Sequence, residues 1–269
     1  VFHLAADHGG RGYVDLKQAE CSTNLILDGL VFRACHRAGV EKVVYASSGC
    51  VYPNYHQTDP AEEKYLAEDT VGPPYESDNL YGWAKLMGEL TLKAYHQQYG
   101  LKSASCRYFT VYGPRGKENH AVIAMIARAF IRENPFEIWG TGEQIRNWTY
   151  VEDIVSGTLL AAEKIEDASA INLGTMERIR VARAAKMVCE FSGHDPSFKF
   201  LPDMPTGPLN RVADNTKACR LLGWQPKFKF REGLKKTMEW YFRERNPKTV
   251  QAELTETLIE RKRQEAPTL

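Results

Sequence analysis

A buried β-strand that ends in a small polar turn is indicated by the segment KVVYA at residues 42–46 and the SSG at residues 47–49. Its β-branched, aromatic and small side chains form a short continuous apolar run, which is typical of a strand covered on both faces. The segments VFHLAA at residues 1–6 and SASCRYFTV at residues 103–111 predict two more strands. Three such strands predict the core of a β-sheet.

Two helices are predicted between these strands. Apolar side chains recur at helical spacing in residues 13–38 and 80–99, and Gly39 and Gly100 follow these segments as helix stops. Strands that alternate with helices in this way predict an α/β fold, a Rossmann-like parallel sheet with helices on both faces. Ligands of such sheets bind at the carboxyl ends of the strands, so the turn at residues 47–49 is a candidate site.

The domain organisation is predicted from the same pattern. Residues 1–114 are expected to form part of a dinucleotide-binding domain, on which residues 147–174 pack as a further helix and strand. The pattern is less regular in residues 115–146 and 175–246, which predict a smaller, mixed α/β substrate-binding cap. Residues 247–269 are strongly charged and predict an exposed tail helix.

The composition favours a small-molecule partner over a polymer. The chain has 269 residues, and its 35 Lys and Arg against 34 Asp and Glu give a formal net charge of +1. No global field therefore attracts nucleic acid or an acidic membrane surface. No apolar run approaches the roughly 18 residues that suggest a membrane span, and no secretory signal is predicted. The six scattered cysteines form no metal-binding spacing, which predicts a reduced, cytoplasmic protein without a metal site.

Tyr81 and Lys85 are candidate catalytic residues because they lie four residues apart on a predicted helix and so share one face. An ammonium beside a phenol is expected to lower the pKa of the phenol and let it exchange a proton near neutral pH. Oxidation of a sugar hydroxyl needs such a proton acceptor while hydride leaves the carbon. A solvated helix face also explains such a pair, but Ser48 adds a hydroxyl that can donate to the same sugar oxygen.

Three segments together resemble the extended short-chain dehydrogenase/reductase family. They are SSGCVY at residues 47–52, YGWAK at residues 81–85 and RYFTVYGPR at residues 107–115. The segment VFHLAA at residues 1–6 is similar to a strand of that family whose Ala-Ala turn lies against the cofactor. The resemblance implies an enzyme that uses a nicotinamide cofactor, NAD or NADP, on a nucleoside-diphosphate sugar.

The resemblance also implies the roles of individual residues. Ser48, Tyr81 and Lys85 are the implied catalytic triad, and Lys85 is implied to hold the nicotinamide ribose as well. The cofactor-binding residues implied in this way are Ala5, Ala6, Asn24, Ser47, Tyr81, Lys85, Tyr108 and Thr110. Thr110 stands where the family commonly has an asparagine.

Two arginines are implied to contact the diphosphate of the substrate. The segment GEQIRNWTYVED at residues 142–153 resembles the family segment that carries one of them, here Arg146, and Arg211 resembles the other. From the residues alone, a surface salt bridge explains either arginine equally well. The substrate-binding residues implied by the resemblance are Gly9, Gly10, Arg11, Thr110, Arg146 and Arg211.

A finer resemblance is to the GDP-mannose 3,5-epimerases, carried by LAADHGGRG at residues 4–12 and SSGCVYP at residues 47–53. It implies that Cys50 is an acid/base, because a ketone acidifies the neighbouring C–H bonds and a thiol can exchange that proton. A small buried hydrophobic residue is the alternative for Cys50. Those enzymes pair the cysteine with a lysine. Asn119 and His120 occupy the nearest positions, which makes His120 the candidate for a second acid/base.

The sequence thus predicts an NAD(P)-dependent nucleotide-sugar epimerase, an isomerase of carbohydrate metabolism that works through a transient 4-keto sugar. A UDP-sugar 4-epimerase is the alternative, and Gly49-Cys50 disfavours a dehydratase, which usually has Asp-Glu there. A non-catalytic sugar-nucleotide-binding remnant stays open, because the family's Gly-rich first turn does not occur in the sequence and the sheet is expected to be incomplete at its N-terminal side. By analogy, the helices at residues 13–38 and 80–99 are expected to form a homodimer contact.

Overall fold

A parallel β-sheet of four strands lies at the centre of the molecule. The computed structural model describes residues 1–254. Its strands are β1 (Phe2–His3), β2 (Lys42–Ser48), β3 (Lys102–Tyr108), β4 (Val111–Tyr112), β5 (Phe136–Trp139), β6 (Ile145–Arg146), β7 (Thr149–Tyr150), β8 (Asp167–Leu173), β9 (Ile179–Arg180), β10 (Phe198–Leu201) and β11 (Asn210–Arg211). Its named α-helices are α1 (Arg11–Leu16), α2 (Gln18–Arg37), α3 (Asn79–Tyr99), α4 (Ala121–Phe130), α5 (Val151–Lys164), α6 (Val181–Ser192), α7 (Thr216–Leu222) and α8 (Phe230–Glu244). The central sheet has the order β1-β2-β3-β8, and all its strands are parallel.

Helices cover both faces of this sheet, because successive side chains of a strand point in opposite directions. Val43 and Tyr45 of β2 are fully buried on one face, in a cluster with Phe32 of α2 and Leu92 of α3. Val44 lies in a different cluster, with side chains of α5 and α7. The prediction of an α/β fold with a Rossmann-like parallel sheet is confirmed.

The first predicted strand and the first predicted helix differ from the structure in extent. The strand covers Phe2–His3 rather than residues 1–6. The helix predicted over residues 13–38 is interrupted at Lys17, whose φ of −110° and ψ of 48° are not helical. The short α1 therefore precedes α2 and continues directly from the loop after β1.

The chain turns where the sequence predicts a longer strand over residues 103–111. β3 ends at Tyr108, and Thr110 adopts a left-handed φ of 34° before β4 begins. Residues 179–192 contain a short strand followed directly by a helix. Their first two residues form β9, which pairs antiparallel with β6, and α6 follows.

A second apolar core holds the cap region together. Trp148 and Phe230 stack within it, with ring centroids 5.1 Å apart. Buried side chains of α4, α6 and α8 pack around them, among them Ile126, Val188 and Leu234. This cluster shares no residue with the clusters that cover the sheet, so the cap has its own packing.

The start of the predicted tail helix packs against the cap rather than standing free. Residues 247–254 are helical, and Val250 and Leu254 are buried in the cap core. The rest of that predicted helix, residues 255–269, lies outside the described residues. Among residues 1–254, no helix is both long enough and apolar enough to cross a membrane.

Candidate active site

A cavity of about 790 Å³ lies at the carboxyl ends of β2 and β3, between the sheet and the cap. Ser48 and Thr110 line it from the sheet side, and Trp139, Arg146 and Arg211 line it from the cap side. This is the edge at which open parallel sheets bind ligands. The cavity is therefore the candidate active site.

Ser48, Tyr81 and Lys85 meet in this cavity. The Ser48 hydroxyl forms a hydrogen bond with the Tyr81 phenol, and the Lys85 ammonium lies 5.8 Å from the centroid of the Tyr81 ring. Ser48 is the last residue of β2, and its Oγ accepts a hydrogen bond from the backbone N–H of Cys50 at 3.1 Å. The structure thus brings together the three side chains that the sequence predicts as a triad.

Gly82 lets the start of α3 approach the turn after β2. A β-carbon at Gly82 would lie 2.3 Å from the carbonyl oxygen of Cys50. That oxygen already accepts a hydrogen bond from the backbone N–H of Asp78 at 3.0 Å. Because Tyr81 precedes Gly82, the missing side chain is what allows the phenol to reach Ser48.

The pKa of Tyr81 is raised, whereas the sequence predicts that Lys85 lowers it. Burial of the phenol is the largest cause, and Cys50 adds to it, while the hydrogen bond with Ser48 acts in the opposite direction. Burial also lowers the pKa of Lys85 itself. Tyr81 therefore rests as a neutral phenol, and a positive charge added beside it would be needed to make it a proton acceptor.

A buried carboxylate, Asp28, lies behind Lys85. Its Oδ2 accepts a hydrogen bond from the Tyr45 hydroxyl at 2.5 Å, and its Oδ1 lies 2.7 Å from His3 Nε2. The Lys85 ammonium lies 4.7 Å from the centroid of the Tyr45 ring. Desolvation lowers the pKa of Lys85, and Asp28 opposes that shift, so the carboxylate favours the charged amine in the cavity wall.

A buried ion pair supports the end of β2 next to Ser48. The Ser47 hydroxyl donates a hydrogen bond to Glu89 of α3. The Glu89 carboxylate also accepts hydrogen bonds from Arg107 of β3, from Nη2 at 2.8 Å and from Nε at 3.0 Å. Arg107 donates a further hydrogen bond to the Tyr52 hydroxyl at 3.1 Å. These contacts tie β2, β3 and α3 together behind the site, with both charges partnered.

Cys50 lies beside a cluster of arginines and one shared carboxylate. Arg211 Nη1 donates a hydrogen bond to the Cys50 sulfur at 3.2 Å, and its Nη2 donates to Asp78 Oδ2 at 2.8 Å. The same oxygen accepts a hydrogen bond from Arg11 Nη1 at 2.6 Å. Burial alone would raise the pKa of Asp78, but the charges of Arg211 and Arg11 hold it below its usual value. Arg211 is buried, so it is not a surface salt bridge.

Arg146 faces the same cavity, and no carboxylate within residues 1–254 forms a hydrogen bond or ion pair with it. Its hydrogen bonds run to backbone carbonyl groups, from Nη1 to Ile145 at 2.7 Å and from Nη2 to Thr206 at 2.7 Å. Burial and the neighbouring charges of Arg211 and Arg11 lower its pKa to about 9. A desolvated guanidinium among like charges is stabilised by an anion, so this wall of the cavity is suited to bind one.

Most of the other predicted site residues line the cavity. These are Ala6, Gly9, Gly10, Ser47, Tyr108, Thr110 and His120. Ala5 and Asn24 are not among its lining residues. Asn24 is fully buried, and it holds the loop after β1 through hydrogen bonds with both backbone groups of Asp7, each 2.8 Å long. Asn24 thus supports the wall of the cavity from behind.

His120 lies at the start of α4 and pairs with a residue that sequence reasoning missed. The ring of His8 lies 5.8 Å from that of His120 between centroids, and both line the cavity. Burial is the largest cause that lowers the pKa of His120 to about 4, and His8 and Lys117 add to it. His120 is therefore a neutral imidazole near pH 7, which can accept a proton.

Asp78 and Gln57 were also missed, although both hold predicted residues in place. Gln57 Oε1 accepts a hydrogen bond from Arg211 Nε at 2.7 Å. Asp78 stands immediately before α3, the position at which an acidic residue often begins a helix, and this is the only signal in the sequence that singles it out. Its contact with Arg211 joins residues 133 positions apart, which local pattern does not predict.

The chain thus combines a Rossmann-type sheet with a cavity that holds a serine from the end of β2 and a tyrosine and a lysine from α3. Residues 1–174 match the NAD dependent epimerase/dehydratase family, and the chain belongs to that family. It is 30% identical over 245 residues to the GDP-mannose 3,5-epimerase of Arabidopsis thaliana, an alignment that covers 89% of this chain and 64% of that protein. The chain thus spans less than two thirds of the GDP-mannose 3,5-epimerases that it matches.

Other matches are named as UDP-sugar epimerases or solved with UDP-sugars. The chain is 30% identical over 241 residues to the UDP-glucuronate 4-epimerase of Thermodesulfobacterium geofontis, covering 89% of this chain and 71% of that protein. The UDP-glucose 4-epimerase of Thermotoga maritima, solved with UDP-glucose, is 30% identical, with a TM-score of 0.78 over 90% of this chain and 77% of that chain. MoeE5, solved with UDP-glucuronic acid and NAD, is 31% identical, with a TM-score of 0.80 over 91% of this chain and 79% of that chain.

Proposed function

We propose that the protein is an NAD-dependent nucleotide-sugar epimerase that works through a 4-keto sugar and exchanges the protons next to the ketone, as a 3,5-epimerase does. The observation that carries this proposal is the convergence of two kinds of chemistry in one cavity. Ser48, Tyr81 and Lys85 can handle a sugar hydroxyl, and Cys50 and His120 can handle carbon-bound protons. A 4-epimerase needs only the first set.

The residues present are suited to a dinucleotide cofactor. Lys85 and Tyr81 place an amine and a hydroxyl in the cavity wall, where they can hydrogen-bond the hydroxyls of a ribose. Ala6 and Leu159 line the same cavity and offer small and apolar surface to a ring. Bound NAD supplies the hydride acceptor for oxidation of the sugar and the hydride donor for its reduction.

Tyr81 takes the proton from the sugar hydroxyl in the proposed first step. Its raised pKa keeps the phenol protonated at rest, and a positively charged nicotinamide beside it would lower that pKa when substrate is bound. Ser48 donates a hydrogen bond to the same sugar oxygen as it becomes a carbonyl. The Lys85 charge, favoured by Asp28, stabilises the negative charge that develops on Tyr81.

Cys50 and His120 exchange the proton at a carbon next to the ketone. Inversion of that carbon needs removal of a proton from one face and its delivery to the other, so two groups suffice. His120 is neutral near pH 7 and accepts the proton, while Cys50 donates one. Arg211 donates a hydrogen bond to the Cys50 sulfur, which stabilises the negative charge left on sulfur.

The arginines bind the diphosphate of the nucleotide in this proposal. Among residues 1–254, Arg146 donates hydrogen bonds to backbone carbonyl groups alone. Arg11 and Arg211 share Asp78, and Arg11 also pairs with Asp15. Three guanidinium groups against the carboxylates of Asp78 and Asp15 leave one positive charge that a diphosphate neutralises. The site therefore favours a nucleoside-diphosphate sugar over a neutral sugar.

Cys50→Ala tests the proposed proton exchange. The protein is incubated with NAD and a panel of GDP- and UDP-sugars in D₂O, and NMR follows deuterium entering the sugar. We expect deuterium at carbons 3 and 5, and we expect Cys50→Ala to slow its entry by about 10²-fold or more. Cys219→Ala is the matched control, because Cys219 does not line the cavity.

Two outcomes would replace the proposal by its alternatives. Full epimerase activity in Cys50→Ala, with no deuterium in the product, would identify a 4-epimerase. Binding of the nucleotide sugar without turnover of any member of the panel would identify a non-catalytic binding protein.

We also propose a homodimer through α2 and α3. Both helices expose large apolar side chains, with Ile26 exposed to 67%, Leu30 to 49% and Met87 to 44%. Exposed apolar surface on two adjacent helices is suited to the same surface of a second copy. Ile26→Glu with Met87→Glu is expected to convert a dimer into a monomer in light scattering at micromolar concentration, and a monomeric wild-type protein would refute the contact.

A further inference from the structure

Two histidines share the cavity wall, and the proposed reaction uses only one of them. His8 follows β1 and His120 directly precedes α4, and their rings are tilted by 48° at a centroid separation of 5.8 Å. His8 is solvent-exposed, whereas His120 is partly buried. The pair therefore links the interior of the cavity to solvent.

Hydrogen bonds position the backbone next to each of the two histidines. Asn24 fixes the backbone of Asp7, the residue before His8. The carbonyl of His120 accepts the hydrogen bond from the Ala124 N–H, at 2.8 Å, that begins α4.

Gly10 allows the two loops that carry these histidines to touch. A β-carbon at Gly10 would lie 1.7 Å from the carbonyl oxygen of Asn119, the residue before His120. The loops therefore meet backbone to backbone, and the distance between the two rings is set by main-chain contacts rather than by side-chain rotation alone.

Resting on the proposed function, we infer that His8 is a second proton-transfer residue, which passes the proton that His120 takes from the sugar carbon on to solvent. A proton moves between such rings directly or through one water molecule. Within residues 1–254, no third His, Cys, Asp or Glu joins the pair to form a metal-binding group, so proton transfer is the chemistry that the pair offers.

The proton balance of this step is complete. The C–H bond next to the ketone breaks, its electrons remain in the enolate, and the proton forms an N–H bond on His120. That N–H bond breaks as the proton moves to His8, and His8 releases it to water. Cys50 gives its proton to the other face of the enolate carbon, and its thiolate is reprotonated from solvent.

The charges around the pair favour outward transfer. His8 faces Lys117, Lys85, Asp7 and His120. Although His8 keeps access to solvent, the surrounding protein partly desolvates its ring, and this is the largest cause that lowers its pKa; the two lysines add to it and Asp7 opposes it. His120 faces His8 and Lys117. Both rings are therefore neutral near pH 7, and a proton placed on the less exposed ring moves readily toward the more exposed one.

His8→Gln tests the inference, with His56→Gln as the control because His56 does not line the cavity. Epimerisation and deuterium entry from D₂O are measured in imidazole buffers of increasing concentration. We expect His8→Gln to lower the rate about 10²-fold in buffers that carry no proton-transfer base, and imidazole to restore it in proportion to its concentration. If His8 only supported the loop, added imidazole would not restore the rate of the His8→Gln variant.

The outcomes separate this inference from the proposed function. A wild-type protein that epimerises no nucleotide sugar overturns the proposed function. An active wild type with an equally active His8→Gln variant, or a slow variant that imidazole does not rescue, overturns the role of His8 alone. NMR titration adds a readout without turnover: the pKa of His120 should rise in His8→Gln, and an unchanged His120 titration contradicts the pairing.

Discussion

Gly82→Ala should lower the reaction rate strongly and the free energy of unfolding only slightly, because it pushes α3 away from the turn that carries Ser48 and Cys50. The new β-carbon would lie 2.3 Å from the Cys50 carbonyl oxygen, about 1 Å short of ordinary van der Waals contact. That oxygen belongs to the backbone and is hydrogen-bonded to the N–H of Asp78, so it cannot rotate aside. The helix must therefore shift, and Tyr81 moves with it.

The expected magnitudes follow from this displacement. A misplacement of about 1 Å at the reacting groups costs roughly 10²-fold in rate. Overpacking lowers the free energy of unfolding by about 1–3 kcal/mol, and replacing glycine by alanine within a helix raises it by about 1 kcal/mol. Gly82→Ala should therefore lose about 10²-fold in epimerase kcat while its free energy of unfolding falls by no more than about 2 kcal/mol.

Gly29→Ala on α2 is the matched control, because a β-carbon there meets nothing within 4 Å. It should raise the free energy of unfolding by about 0.5–1 kcal/mol and leave kcat unchanged. Urea denaturation and steady-state kinetics measure both quantities. If Gly82→Ala behaves like Gly29→Ala, being more stable and fully active, α3 does not depend on the close approach described for Gly82.

Three further outcomes are expected. Arg107→Met leaves Glu89 buried without its cationic partner and should lower the free energy of unfolding, measured by urea denaturation, by about 3–5 kcal/mol. A loss below about 1 kcal/mol would contradict the buried ion pair. Arg146→Gln should weaken nucleoside-diphosphate binding about 10-fold or more in calorimetry while leaving nucleoside binding unchanged. The pKa of His120 falls to about 4 on folding from an ordinary value of 6.5, so between these values the unfolded chain binds more protons and stability falls with falling pH. His120→Gln should remove that loss, which is at most about 1.4 kcal/mol per pH unit. If the free energy of unfolding changes equally with pH in the wild type and in the variant, this explanation is wrong.

The fold was predictable because its signals are local. The apolar run at residues 42–46 needs no partner to indicate a buried strand, and the helical period of residues 80–99 gives α3 almost to the residue. At two of the places where the prediction was wrong, the cause was a single residue with an unusual backbone. Lys17 divides the first helix and Thr110 turns the chain after β3, and neither type of side chain marks such a position.

The site was predictable only in part, because its contacts join distant segments. Ser48, Tyr81 and Lys85 belong to recognisable segments, and they do share the cavity. The partners of Arg211 and Glu89 are far away in sequence, so no spacing predicts them. The pKa of Tyr81 depends on how deeply the fold buries the phenol, which explains why a lowering by Lys85 was the wrong expectation.

The fate of the hydrogen at carbon 4 tests the proposed reaction most directly. A nucleotide sugar deuterated at carbon 4 is converted in ordinary water, and NMR and mass spectrometry locate the label in the product. Oxidation and reduction within one cavity predict that deuterium stays at carbon 4 of the epimerised sugar, while carbons 3 and 5 take hydrogen from solvent. Product that has lost the label from carbon 4 to water would contradict a hydride exchange governed by Ser48, Tyr81 and Lys85.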